Sequence, residues 1–268
     1  MMAGTMQDKV VVITGAARGI GKGIADCFVA EGARVIVTDL SQDLIDAIDS
    51  DHISGMVGDA ANQDEMKALI GQVVAEYGRL DVLVNNAGIG GPTADFNEMA
   101  TDSAVLNLSD ASWDEQLVAN LRTAFSSSSA AIPHLQSGSS IINIASIAAL
   151  GPTTSLPAYG AAKAGVVHLT KTLAMELAPR AIRVNCICPG LLWTRAWEIL
   201  TTQMKNKQPE LANMSNRQVF EMVVNDMTPL GGEQTPEDIG NLAVFCASDK
   251  ARMITGQVIA VDGGISVK

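Results

Sequence analysis

Lys9-Val10-Val11-Val12-Ile13-Thr14-Gly15-Ala16-Ala17-Arg18-Gly19-Ile20-Gly21 is the stretch on which the reading of the fold turns. It begins as an apolar, β-branched run of strand type, turns at glycines, and passes into a segment of helical apolar periodicity that reaches Glu31. The order is strand, glycine turn, helix. Glycines allow a tight turn and a close backbone approach, and a helix N-terminus offers unpaired N–H groups and the positive end of the helix dipole. Gly15, Ala17, Arg18, Gly19, Ile20 and Gly21 therefore suit the pyrophosphate of a dinucleotide. The spacing is G-x-x-x-G-x-G, not the G-x-G-x-x-G of the general dinucleotide fingerprint.

The next strand, Ala33 to Thr38, ends in Asp39, eighteen positions after Gly21. A carboxylate at that offset accepts hydrogen bonds from the adenosine ribose hydroxyls and repels a 2′-phosphate, which points to NAD rather than NADP. Before Ser41 the same aspartate could instead cap the following helix. Leu40 beside it brings no second cation, whereas Arg18 in the glycine loop can attract a phosphate. Val57-Gly58-Asp59-Ala60 reads as a third strand ending in an acidic residue. Gln63 to Tyr77 reads as a helix whose apolar face is Met66, Leu69, Ile70, Val73 and Val74. Leu80 to Val84 is a fourth strand running into Asn85-Asn86-Ala87-Gly88.

Two later segments carry proton chemistry. Ile141 to Ala145 is an apolar strand that ends at Ser146, and Tyr159 follows thirteen positions on, with Gly151, Pro152 and Pro157 marking a loop between them. Lys163 stands four positions after Tyr159, one helical turn away on the same face. A tyrosine is a weak acid near neutral pH, and an adjacent ammonium favours its phenolate, so the pair is expected to make Tyr159 a usable acid or base. Ser146 at a strand's carboxyl end would supply a second hydrogen bond to the same substrate oxygen.

This Ser, then Tyr-x-x-x-Lys at this spacing, together with T-G-x-x-x-G-I-G and N-N-A-G, resembles the short-chain dehydrogenase/reductase family, and the likeness covers nearly the whole chain. The resemblance implies a catalytic set of Asn120, Ser146, Tyr159 and Lys163. In it Asn120 bends its helix and holds a water next to the lysine, completing a proton path. It also implies that Asp59 and Ala60 hold the adenine edge, and that Asn86, Ala87 and Gly88 line the cofactor cleft. Thr194 falls near the carboxamide and pyrophosphate, and Tyr159, Lys163, Leu40 and Leu192 join the cofactor contacts. Pro189-Gly190 ends the strand Ile182 to Cys188 where backbone can pass close to a nicotinamide.

Gly90 to Ser109 is polar and irregular, a loop at the rim of a site. Trp113 to Leu135 reads as one long helix whose small residues from Ala124 to Ala131 would let another helix pack closely. Residues 191–228 are helical in tendency and form a lid, with Trp193 and Trp197 as expected substrate contacts. Thr235-Pro236-Glu237-Asp238 starts a helix with a capping threonine and proline in its first turn. Ile254 to Gly264 supplies the last strand. Seven strand signals alternating with helices predict an α/β fold: one Rossmann-type domain over residues 1–268, a doubly wound, seven-stranded parallel sheet with helices on both faces.

Composition bounds the partners. With 18 basic and 29 acidic residues the formal charge is −11, which argues against nucleic acid and anionic membrane as partners and leaves a small molecule. No long uncharged apolar run is present and Met1 to Asp8 lacks the parts of a signal peptide, so a cytoplasmic location is expected. Cys27, Cys186, Cys188 and Cys246 form no C-x-x-C pair, and His52, His134 and His168 lack ligand spacing, so no metal is expected. The expected activity is hydride transfer between NAD(H) and a secondary alcohol or ketone by a homotetramer built on long-helix pairs. The competing readings are an NADPH-dependent 3-oxoacyl-thioester reductase and a non-catalytic nucleotide sensor.

Overall fold

The computed structural model describes residues 4–48, 50–89, 105 and 108–268. Its strands are β1 (Val10–Thr14), β2 (Arg34–Asp39), β3 (Ile53–Val57), β4 (Leu80–Asn85), β5 (Leu135–Ile144), β6 (Arg183–Pro189) and β7 (Val258–Val261). The helices are α1 (Gly19–Ala30), α2 (Gln42–Asp46), α3 (Gln63–Tyr77), α4 (Asp110–Leu117), α5 (Thr123–Ala131), α6 (Pro157–Leu177), α7 (Arg195–Lys207), α8 (Asn216–Met227) and α9 (Pro236–Ala247). The strands form one sheet of seven in the order β3-β2-β1-β4-β5-β6-β7, and every pairing is parallel. The chain thus winds outward in one direction from β1 and then in the other from β4. Their adjacent carboxyl ends define the switch point, where crevices form in open α/β sheets.

Alternate residues of each strand serve opposite faces, so both faces must be apolar for the sheet to be covered twice. Val11, Ile13, Val35, Val37, Val82 and Val84 pack with Ile24 and Phe28 of α1 and Ile239 and Ala243 of α9. Val10, Val12, Ile36, Leu83, Ile141 and Val184 pack on the other face with Met66 and Ile70 of α3, Ala130 of α5 and Leu173 of α6. Helices α1 and α9 approach closely because both carry glycine at the crossing. A Cβ on Gly240 would lie 2.5 Å from Cys27 Sγ, and one on Gly23 would run into Pro236.

Helix α3 has the bounds expected from its periodicity, closed by Asn62 at its N-terminus and left-handed Gly78 at its C-terminus. Three expectations are corrected. The third strand lies upstream of the Val57 to Ala60 tetrapeptide; only Val57 belongs to β3, and Gly58, Asp59 and Ala60 form the turn that leaves it. The long helix is not continuous to Leu135. It is α4, a π turn over Val118–Arg122, and α5, and Leu135 already pairs with Leu80 in the sheet. The final strand is shorter than the expected run, only Val258–Val261, because Gly256 and Gly263 at its flanks take positive φ.

The small residues of α5 pack within the chain: Ala124, Ser126, Ser127, Ser128, Ala130 and Ala131 are buried. Ser126 Oγ donates to Ala61 O at 3.1 Å, and Ser129 Oγ accepts from Gln63 Nε2 at 2.6 Å. What this helix region turns outward is Trp113, Val118 and Phe125. Most of the expected rim loop, Gly90 to Ser109, lies outside the described residues. Among the described residues no helix is long and apolar enough to cross a membrane, and no group of three or more His, Cys, Asp or Glu is placed to hold a metal ion.

Candidate active site

The site is built from the carboxyl ends of β1, β4, β5 and β6 and the start of α6. Helix α6 begins at Pro157, whose fixed φ suits a first turn, and this places Tyr159 in the first turn and Lys163 one turn further along. Lys163 Nζ lies 5.8 Å from the Tyr159 ring centroid and donates to Ile144 O, the last carbonyl of β5, at 3.2 Å. Ser146 follows that strand end in extended conformation, and its Oγ accepts from Ala148 N at 3.2 Å. Ser146 stands close enough to the Tyr159 phenol to favour its charged form.

Burial governs the proton affinities here. It raises the Tyr159 phenol above its usual value; the Ser146 side chain opposes that rise and the nearby Cys188 thiol adds to it. The sequence expectation was the reverse, a phenol lowered by Lys163. The difference arises because desolvation acts on both groups: it lowers Lys163 to about 8, so that the ammonium is itself disfavoured.

Asn120 sits in the π turn and is 1 % exposed. Its Oδ1 accepts from Ile89 N at 3.1 Å, while its Nδ2 donates to Gln116 Oε1 at 3.0 Å and Gln116 O at 3.3 Å. Gly88 separates Asn120 from Lys163. A Cβ there would lie 2.7 Å from Asn120 Oδ1 and 3.1 Å from Lys163 Nζ, so both polar groups border one small space that only glycine leaves open. Asn120, Ser146, Tyr159 and Lys163 are thus brought together by three segments: the π turn, the end of β5 and the start of α6.

The glycine loop is held from behind. Asn86 Nδ2 donates to Thr14 O at 3.0 Å and Gly15 O at 2.8 Å, and Thr14 Oγ1 accepts from Asn86 N at 3.2 Å and Ala87 N at 3.0 Å. The Asn86 side chain therefore braces the loop rather than facing outward. Gly15 and Gly21 are glycines because of this packing: a Cβ on Gly15 would be 2.7 Å from Ala87 Cα, and one on Gly21 2.5 Å from Asn86 Nδ2. Gly19 differs, with φ +60° and nothing within 4 Å of a Cβ, so its backbone faces open space.

The residues present fit a dinucleotide. Helices α3, α4 and α8 have their first N–H groups satisfied by Asn62, Ser109 and Ser215. Helix α1 starts at exposed Arg18 with no side-chain cap and no acidic residue in its first turn, and its Ile20 is half-buried beside the loop. Among the described residues no side chain caps its N-terminal donors, which can therefore meet an anion. Asp39, at the end of β2, accepts from Leu40 N at 2.9 Å and Ala17 N at 3.4 Å, which sets its carboxylate beside the loop, with Leu40 largely exposed next to it. Asp59 is half-buried and accepts from Ala61 N at 2.8 Å, while the Ala60 side chain belongs to the core and leaves only backbone for any ligand.

Pro189 ends β6, and the glycine after it answers to packing. A Cβ on Gly190 would lie 2.6 Å from Gln234 Oε1 and 2.9 Å from Asp262 Cα. Leu192 is buried and bridges to Gln234. Thr194 precedes α7 and makes no capping bond, so its hydroxyl is not committed to the helix. Trp193 and Trp197 rest on buried Phe220 of α8, with ring centroids 5.2 and 5.0 Å away. Arg217 lies over the Trp193 ring at 5.4 Å and is paired with Glu233, which also accepts from Trp193 N at 3.3 Å.

Sequence reasoning missed Thr14, Thr123 and Gln116. The first was legible as a hydroxyl ending β1. Thr123, whose Oγ1 donates to Ala87 O at 3.1 Å, and Gln116 are ordinary helix residues until the fold shows what they face.

Residues 15–266 match the family model described as Enoyl-(Acyl carrier protein) reductase. The 3-oxoacyl-[acyl-carrier-protein] reductase FabG of Thermotoga maritima is 35% identical over 98% of this chain and 99% of its own length. The 7alpha-hydroxysteroid dehydrogenase of Bacteroides fragilis is 33% identical over 97% of this chain and 95% of its own. Among solved structures, the ligand-free aldohexose dehydrogenase of Thermoplasma acidophilum superposes with a TM-score of 0.83 at 30% identity, covering 98% of this chain and 96% of that one.

Proposed function

Because this chain belongs to the short-chain dehydrogenase/reductase family of oxidoreductases, we propose that it interconverts a secondary alcohol and its ketone using NAD(H). Support comes from Asn120 and Lys163 meeting across Gly88, with Tyr159 beside Lys163 on α6 and Ser146 just past the strand end that Lys163 bonds. The relatives named above act on a carrier-bound acyl group, a steroid and a sugar, and share only alcohol and carbonyl chemistry. The N-terminus of α1, Gly19, Asp39 and Asp59 would hold the dinucleotide, with Lys163 at the nicotinamide ribose and Thr194 near the carboxamide. A bound nicotinamide supplies the hydride acceptor or donor.

The chain's own residues handle the oxygen and its proton. Ser146 and Tyr159 hydrogen-bond the substrate oxygen. The raised proton affinity keeps Tyr159 neutral at pH 7, the form that donates a proton to a carbonyl oxygen during reduction. Alcohol oxidation needs the phenolate, which gains population as pH rises. Lys163 stabilises that phenolate, and Asn120 connects Lys163 to solvent. Residues 191–228 cover the substrate, with Trp193 and Trp197 against it. Trp113, Val118 and Phe125, exposed in the single chain, are the helix face on which a homotetramer would assemble.

NAD(H) is favoured because the Asp39 carboxylate stands beside the glycine loop and would meet a 2′-phosphate as a like charge. Loss of charge-assisted hydrogen bonds alone corresponds to a bias of at least about tenfold. The second reading, NADPH-dependent reduction of a 3-oxoacyl thioester, draws on the Thermotoga relative's name. The net charge of −11 opposes docking of an acidic carrier protein. Measuring kcat/KM for NADH and NADPH with a panel of ketones and acetoacetyl-CoA separates the two. A preference for NADPH with acetoacetyl-CoA overturns the first reading, and the absence of turnover with any substrate leaves the nucleotide sensor.

A further inference from the structure

Gln116 lies one turn before Asn120, and both side chains are buried, at 3 % and 1 % exposure. Asn120 Nδ2 is engaged twice by this residue, at 3.0 Å by its Oε1 and at 3.3 Å by its backbone O. A carboxamide has chemically opposite ends, and the acceptors on Gln116 act with the Ile89 N–H to set which way it points. The reversed amide would set an NH2 group against the Ile89 N–H, donor against donor. With Gln116 in place, Oδ1 faces Ile89 N and the space beside Gly88 that Lys163 also borders. Gln116 Nε2, in contrast, is buried with no hydrogen-bond partner among the described residues. A buried donor left unpaired is destabilising, so the hydrogen-bonding benefit of this side chain lies in its bond to Asn120.

We propose that Gln116 is a positioning residue: it locks the Asn120 carboxamide in the orientation that presents Oδ1 toward the Gly88 space and Lys163. The inference rests on the oxidoreductase reading of the site. Its kinetic test is NADH-dependent reduction of 2,3-butanedione, a small activated ketone that asks little of the pocket. Gln116→Met, similar in shape and apolar, is expected to lower kcat about tenfold, with the KM for NADH within about twofold of the parent and the urea midpoint equal or higher. Gln116→Glu keeps an acceptor for Asn120 Nδ2 and recovers most of that kcat. Unchanged kcat in Gln116→Met, or no recovery in Gln116→Glu, overturns the proposal. A second arm needs no turnover: in a double-mutant cycle, Gln116→Met and Asn120→Ala should shift the urea midpoint by less than the sum of their separate effects. Additive shifts also overturn it. An unmodified protein inactive on 2,3-butanedione counts against the oxidoreductase reading of the site instead, and the cycle still decides Gln116.

Discussion

Replacing Lys163 by methionine should destroy activity and stabilise the protein. Lys163 is 5 % exposed, and burial lowers its proton affinity from 10.5 to about 8. At about 1.4 kcal/mol per tenfold change in affinity, holding the ammonium inside costs about 3 kcal/mol at pH 7. Its hydrogen bond to Ile144 O is lost in the variant, which takes back about 1 kcal/mol. A net stabilisation of about 2 kcal/mol remains. The sign with pH follows from proton binding. Below pH 8 both folded and unfolded lysine are protonated and the penalty is complete. Between about 8 and 10.5 the folded protein releases its proton while the unfolded chain keeps it, so the parent gains stability as pH rises. The advantage of Lys163→Met should therefore shrink across that window and vanish or reverse above it. Equilibrium urea unfolding of both proteins at pH 7 and pH 10, followed by far-ultraviolet circular dichroism, measures it. A variant less stable than the parent at pH 7, or an advantage that does not change with pH, would refute the reasoning.

Tyr159→Phe should reduce turnover about a thousandfold while NADH still binds, as followed by its fluorescence, since only the proton-carrying oxygen is removed. The kcat of the unmodified enzyme for alcohol oxidation should rise from pH 7 to pH 10, because burial favours the neutral phenol; a flat profile would show that Tyr159 does not limit the reaction. Gly88→Ala should lower kcat about tenfold to a hundredfold, as its methyl would sit 2.7 Å from Asn120 Oδ1 and force Asn120 or Lys163 to move. Asp39→Ala should narrow the ratio of kcat/KM for NADH over NADPH, mainly by raising the KM for NADH; an unchanged ratio would remove Asp39 from the ribose site.

Local signals carried much of the fold. The apolar runs of β1, β4 and β6 and the periodicity of α3 could be read because each is a response to burial on two faces or one stripe. The errors fell where a segment's state depends on a neighbour. Val57 to Ala60 looked like a strand, yet pairing with β2 runs from Val35 opposite Ile53 to Asp39 opposite Val57 and ends there. Trp113 to Leu135 kept helical composition beyond Ala131, but β4 recruits Leu135 into the sheet. Within that helix the π turn at Asn120 has no compositional mark.

By itself, the sequence determined the class of fold, the glycine loop at its start and the Ser146, Tyr159 and Lys163 set, because order, period and spacing along the chain encode these directly. Tertiary structure decided the direction in which the site's proton affinities move. Whether Lys163 lowers Tyr159 or is itself weakened as a cation depends on how much water both lose, and that follows from how segments far apart in the chain pack around them. It also decided why the glycines are glycines. Gly15, Gly21, Gly88 and Gly190 answer to Ala87, Asn86, Asn120 and Gln234, neighbours that only folding brings within reach of a Cβ.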